Sequence, residues 1–449
     1  MGVVFIITPF VFCVLMNDKS KKIVSKRDKR LIYTIMMLLC SIMLLYFYQI
    51  STINNYRYNP YLNEYYTSDY HVINSINPND TNYSDLAFLK DIVASKKIII
   101  LGEQQHGDGS SHLIKIRLIQ FLHEHCGFHS LIMETSMFDT FLLAENIESE
   151  PDNVDFAVAL HPFWGETAES TFLKNHLLST DNFKIYGMDI QPTGSDSKFR
   201  IQKIREIIST VDTSLFDKYS LLFSILSKIN ILRYKKQADL LPDGQKDSIL
   251  FQMNEIINDL SSADIPDVRQ IQLKQFFSNL RLWLQSKWFL SANRQISLRD
   301  SLMAQNFFFL DSINQKIGKN IIWTANSHGI YNDSLLEDNY KRFGNYLKEK
   351  YQDSIYVISI TSYKGYTGTL YRSNDSLLIN ESVYQSCEKL MHNLNKDYLF
   401  YDFSSKENLK EYSFSLKCLG HNNIDSYWAQ MTDGLIFIDN MKPIYYDKH

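Results

Sequence analysis

The chain has 449 residues, of which 45% are apolar and 21% charged, with a formal net charge of -4. That is ordinary globular composition, long enough for a large core and, by length alone, for several domains, and the lack of a basic excess excludes a nucleic-acid-binding role. Five cysteines (Cys13, Cys40, Cys126, Cys387, Cys418) show no tight metal-ligand spacing, and nothing in their pattern demands a Cys387–Cys418 disulfide, so they read as small core residues.

From Leu31 to Ile50 the stretch LIYTIMMLLCSIMLLYFYQI runs for 20 residues without a charge, the length that crosses a hydrocarbon layer of about 30 Å as a helix. The basic KSKKIVSKRDKR before it (Lys19–Arg30) keeps that side cytoplasmic. Residues 1–30 therefore read as a cytoplasmic segment, 31–50 as a single-pass anchor in the cell membrane, and the remainder as lying outside the cytoplasm. The earlier run GVVFIITPFVFCVLM is only 15 residues and contains Pro9, a poor span, and Met16 is an alternative start. No small-residue cleavage site follows Ile50, so the anchor is expected to stay uncleaved.

Residues 51–84, rich in Asn, Tyr and Ser, read as a spacer, and the globular domain as 85–449. Within it DLAFLKDIVASK is helical, KIIILGE is a buried strand, SSHLIKIRLIQFLHEH is a helix capped by Gly127, and SLIMETS is a second strand. Such a β-α-β unit places its two strands parallel. Further strands are expected at 183–191, 320–328, 354–363, 398–403 and 434–440, with a helical insertion over about 199–317. The fold class is α/β, a mostly parallel central sheet flanked by helices with a large helical insertion.

Ligands bind beyond the carboxyl ends of strands in such sheets. Reading each strand to its end delivers Glu103, Glu134, Asp189 and His328 to one edge, and several carboxylates buried together without a function would need as many cationic partners. His106 follows the first strand, and placed between Glu103 and Glu134 it is expected to have its tautomer fixed and its proton affinity raised, which suits a base acting on water. Lys115 and Arg117 point to different sides of the next helix; Lys115, nearer the N-terminus, is the candidate for holding a substrate oxygen. The cluster His123, His125, Cys126, His129 diverges on a helix and is not a metal motif, and there is no G-x-S-x-G, Walker A or G-x-G-x-x-G. Activated water, with no cofactor, is the expected chemistry.

GEQQHG, KIRL and LIMET, followed in order by FWGETAESTFLKNHL, YGMDIQ, LRDSLMAQN, WTANSHG, LMHNLNKDYLFYDF and DGLIFID, resemble the motifs of the erythromycin esterase-like family over roughly residues 85–445. The resemblance implies hydrolysis of an ester or macrolide lactone, a small molecule, without a covalent enzyme intermediate. It implies His106 as general base, Glu103 and Glu134 as its supporting carboxylates, and His328 as a second catalytic histidine. Lys115, Asp189, Arg299, Trp164 and Asn326 would line the substrate side, with Asp300 completing an R-D pair. Family members often carry W-A-H-N-x-H, whereas this chain has Ala325 in place of the first histidine. Two other readings stay open at this point: a tethered binding protein without turnover, motivated by Ala325, and a metal-dependent hydrolase built on Glu103, His106, Glu134 and His328.

Overall fold

A computed structural model describes residues 34–35, 37–46, 60–180, 182–193, 197–226, 241–262, 268–313, 318–336, 340–370, 372–383 and 386–446. They fall into two compact units, 1–59 and 60–449. In the first, residues 34–35 and 37–46 are helical, with Leu38, Leu39 and Leu44 exposed. Among the described residues no helix is long and apolar enough to cross a membrane; residues 31–33, 36 and 47–50 of the expected span, with Cys13, Met16 and Lys19–Arg30, lie outside them.

The second unit begins earlier than expected. Residues 60–84 are not a spacer: α1 (Pro60–Ser68) and β1 (His71–Val72) belong to this unit, and β1 pairs antiparallel with Phe400 and Leu399. The cause is aromatic burial. Tyr65 and Tyr66 are buried against Tyr401 and Phe403, with the Tyr66 ring 5.2 Å from that of Tyr401, and a fully buried side chain of this size contributes about 1.5–3 kcal/mol. The Asn-rich turns that read as linker are held by Arg117, whose guanidinium donates to the Ser75 and Asn82 carbonyls and pairs with Asp85 at 2.8 Å.

The central sheet is the expected parallel one. The remaining strands are β2 (Ile98–Leu101), β3 (Phe128–Ser136), β4 (Lys184–Asp189), β5 (Lys319–Trp323), β6 (Ile355–Gly368), β7 (Ser376–Ile379), β8 (Tyr398–Asp402), β9 (Phe414–Leu419), β10 (Asn422–Ser426) and β11 (Gly434–Met441). Their order is β1-β8-β11-β6-β2-β5-β3-β4, with β7 on the end of β6 and β9–β10 as a separate hairpin. From β11 to β4 all neighbours are parallel. Strands β2 and β3 run parallel as predicted, but β5, more than two hundred positions along, lies between them. That interposition seats the loop after β5 between the loops of its two neighbours.

Strand β2 has the periodicity of a strand covered on both faces. Ile99 and Leu101 join one core with Ile114, Leu118 and Phe121 of α2 (Gly109–Cys126), while Ile98 and Ile100 join the other with Met303 and Phe307. Helix α2 stops at Gly127, whose φ of +73° closes a left-handed cap onto the Leu122 carbonyl. After β3 comes α3 (Met137–Ser149), and after β4 the helical block, whose long members are α4 (Ser197–Val211), α5 (Asp243–Ser261), α6 (Val268–Phe289) and α7 (Ala292–Ile313). This block has a core of its own, including Ile204, Met253, Phe277 and Trp283, into which α3 inserts Phe138 and Leu142.

Candidate active site

Three adjacent strands deliver the site. Glu103 lies two residues beyond β2, and the chain there is fixed by Gly102 N–H donating to the Ile358 carbonyl at 2.9 Å and Asn326 N–H donating to the Glu103 carbonyl at 2.8 Å. Glu134 is inside β3 and not past its end; the ladder slips between Met133 and Ser136, and such irregularities re-aim a side chain. After β5, Thr324 Oγ1 and Ala325 N–H both donate to Glu134 Oε2, at 2.7 and 3.1 Å, and α8 (Asn326–Gly329) carries His328.

His106 Nδ1 lies 2.7 Å from Glu103 Oε1. A carboxylate accepts, so Nδ1 bears the proton and Nε2 keeps a lone pair, 3.8 Å from Glu134 Oε1. The ring stacks on Phe163 at 5.0 Å and meets Trp164 edge-on at 5.1 Å, yet 23% of its side chain remains exposed. Burial pushes its pKa below the usual histidine value; the Glu134 charge opposes this in part, and His328 and Arg299 reinforce it. The expectation that two flanking carboxylates raise its proton affinity is thus reversed: desolvation outweighs them. His106 is neutral at neutral pH.

His328 moves the other way. Burial alone would lower it, but Asp300 and Glu134 outweigh burial and raise its pKa above the ordinary value. Its Nδ1 is 2.6 Å from Asp300 Oδ1, and its Nε2 is 3.4 Å from Glu134 Oε1 and 3.1 Å from Arg299 Nη1. Arg299 and Asp300, neighbours on α7, therefore grip one imidazole from two sides. Asp300 is itself fixed by the Phe343 N–H at 3.1 Å. Glu134 stands between the two histidines, and although burial favours its neutral form, His328, Arg299, His106 and the Thr324 hydroxyl hold its pKa well below the usual carboxylate value.

Arg299 donates to Asp189 through Nε and Nη2 and to Glu134 Oε1 through Nη2 at 2.7 Å, with 20% of its side chain exposed. Asp189 and Glu134 outweigh burial and keep the guanidinium charged. Asp189 is buried behind it and orients Arg299. A divalent ion between His106, Glu134 and His328 would have to displace this guanidinium, and among the described residues no group of three or more His, Cys, Asp or Glu is arranged to hold a metal ion.

Like Asp189, two further expected substrate contacts have other duties. Lys115 is wholly buried: its Nζ pairs with Glu103 Oε2, donates to the Thr324 carbonyl at 3.0 Å and lies 4.8 Å from the Trp323 ring centroid. It supports Glu103 from behind, because helix α2 packs under the sheet edge and aims it inward. Asn326 spends both amide hydrogens on the Ile360 and Cys418 carbonyls, each at 2.8 Å, and accepts from the Ile360 N–H. It ties β6 and β9 to the loop, and a Cβ on Gly102 would collide with it. Trp164 packs edge-on to His106, and its indole Nε1 is buried with no hydrogen-bond partner among the described residues. Cys387 and Cys418 are buried free thiols.

Sequence reasoning passed over Thr324, Phe163 and His112. His112 is buried below the His106 loop, shares a hydrogen bond with the His106 backbone, and has its pKa pushed down to about 3 by burial. Its signal was helical spacing: three residues before Lys115, it shares that residue's face of α2.

The family described as Erythromycin esterase matches residues 123–441. Glu103, His106 and Lys115 precede that span, so their assignment to the site rests on the geometry. Among similar proteins are YbfO of Bacillus subtilis (strain 168), a hydrolase by name, 22% identical over 82% of this chain and 89% of its own, and erythromycin esterase type II of Escherichia coli, 21% identical over 70% and 80%. The fold is shared with a Bacillus cereus protein (TM-score 0.71, 19% identity, 87% of this chain and 100% of that one) and with a mutant of erythromycin esterase EreC in its open conformation (0.62, 14%, 82% and 96%). With the family matching more than half of its length, this chain belongs to the erythromycin esterase family, a family of hydrolases.

Proposed function

We propose that the protein hydrolyses a carboxylic ester or lactone with water activated by His106. The observation that carries this reading is the His106 tautomer: Nδ1–H held on Glu103 at 2.7 Å, a neutral ring, and a free Nε2 lone pair 3.8 Å from Glu134. Nε2 takes a proton from water as its oxygen attacks the carbonyl carbon. Once His328 is protonated its Nε2 no longer accepts from Arg299 Nη1, so Arg299 and His328 both turn N–H donors to the oxyanion that forms, and His328 passes its proton to the departing alkoxide, leaving an acid and an alcohol. Macrolide lactones are the substrates to try first, because the E. coli relative is named for erythromycin. With Ala325 in place of a second imidazole at this edge, the acid role falls to His328 alone.

The protein is further proposed to be anchored in the cell membrane by residues 31–50 with the hydrolase unit outside, supported by the uncharged stretch and the basic residues before it. Incubation of the full chain with erythromycin and a panel of simple esters, followed by mass spectrometry, is expected to give a product heavier by one water for the lactone or split in two for an open-chain ester. Binding detected without any product would contradict the reading. In the same cells the protein should sediment with membranes and be open to protease added outside; a soluble, protected protein would contradict the anchor.

A further inference from the structure

Residues 442–446 run as a strap across the back of the catalytic loop. Gly107, directly after His106, presents its carbonyl to two N–H donors, Gly368 at 2.8 Å and Ile444 at 3.0 Å. Ser110 N–H donates to the Lys442 carbonyl at 3.2 Å, and Lys442 N–H donates to Ser110 Oγ at 2.9 Å. Close approach demands glycine here: a Cβ on Gly107 would collide with the Gly368 carbonyl, and one on Gly109 with the Pro443 carbonyl. Ile444 is buried in the main core.

The strap's other side holds the wall that stacks on His106. Ala168 N–H donates to the Tyr445 carbonyl at 2.8 Å, Tyr445 N–H donates to Glu169 Oε2 at 3.2 Å, and Thr167 forms a bridge with Tyr446. Four positions before Ala168 stands Trp164, beside Phe163, and these two rings pack on the imidazole. The tip between β6 and β7 joins the same junction: Tyr446 N–H donates to Asn374 Oδ1 at 2.7 Å, and Arg372 makes two bonds to Glu166, at 2.6 and 2.5 Å.

We infer that the strap Lys442–Tyr446 is a positioning element for His106, setting the distance between the backbone of the catalytic loop and the aromatic wall that holds its ring; the kinetic part of this inference rests on the hydrolase reading above. Without the strap the wall is free to withdraw. The ring then gains solvent and leaves the place from which Nε2 reaches the attacking water. A displacement of about 1 Å at a reacting group costs up to a hundred-fold in rate.

The test uses the full chain carrying Gly109→Ala, which drives a methyl group into the strap from a helix that prefers alanine, with Gly244→Ala, where a Cβ meets nothing, as the control. With 4-nitrophenyl acetate as probe, Gly109→Ala is expected to lower kcat about ten- to a hundred-fold with KM within about two-fold. The His106 imidazole, followed by NMR and assigned by comparison with His106→Gln, is expected to titrate closer to the ordinary value of about 6.5 than in the unmodified chain. Tyr446→Ala and a chain ending at Met441 repeat the measurement should Gly109→Ala fail to fold. A folded variant with kcat and the His106 titration unchanged overturns the inference. If the unmodified chain cleaves no ester, the hydrolase reading fails, while the NMR titration still decides the role of the strap.

Discussion

Replacement of His106 by Gln is expected to lower kcat/KM by about 10²- to 10⁴-fold, or roughly 3–5 kcal/mol of transition-state stabilisation, while leaving the fold intact. The reasoning is local. A glutamine amide can still donate to Glu103 Oε1, where Nδ1 donates at 2.7 Å, and can still fill space against Phe163 and Trp164. It cannot accept a proton from water. Because the loop backbone is held by the Gly107 carbonyl's two hydrogen bonds and not by the imidazole, little stability should be lost. Steady-state kinetics with any ester the protein cleaves, beside a thermal melt, checks both halves; a variant with full activity would remove His106 from the chemistry.

Replacing Lys115 by Met should do the opposite and unfold the protein more easily, by about 3–5 kcal/mol. The methionine fills a similar volume, but Glu103 and Lys115 are both fully buried and each charge is compensated by the other. Burial pushes the Lys115 pKa well below the ordinary lysine value, opposed only in part by Glu134, so little besides this contact favours its charged form. Removing the ammonium strands a carboxylate in a site that water does not reach. The double variant Lys115→Met with Glu103→Gln should recover much of the loss, since neither charge then remains unpaired, without recovering activity. Urea unfolding of the three proteins measures this. An unchanged midpoint in the single variant would return Lys115 to the substrate side.

How much of this was legible follows from what each residue type can signal. The strands that build the parallel sheet are continuous apolar runs, and polar residues at or near their carboxyl ends were visible as such, which is why Glu103, Glu134, Asp189 and His328 could be placed on one edge. Depth was not visible. Lys115 and Asn326 carry groups that bind a substrate or a backbone equally well, and only packing against Trp323, Thr324, Ile360 and Cys418 decides between them. The sign of the His106 shift was missed for a related reason: neighbouring charges can be guessed from spacing, but desolvation depends on the Phe163 and Trp164 wall, which is more than fifty residues away. Short pairings were also hidden, because β1 has two residues and β7 four, and two to four residues hold no periodicity. Tyr65 and Tyr66 could have been recognised as anchors, since large aromatic side chains bury well, but the surrounding Asn-rich sequence resembles a linker.

Hydrolysis by this route requires two imidazoles with opposite shifts to share Glu134, His106 neutral and His328 protonated. The pH dependence of kcat/KM tests it most directly, because it reports the ionisations of the free enzyme. His106 must lose its proton, so activity should rise as pH climbs through a value below the ordinary 6.5 or so; His328 must keep its proton, so activity should fall as pH climbs through a value above it. The expected profile is a bell whose acid limb disappears with His106→Gln in the residual activity and whose basic limb disappears with His328→Gln. A profile with no acid limb, one whose acid limb lies above the ordinary histidine value, or one whose basic limb lies below it, would contradict it.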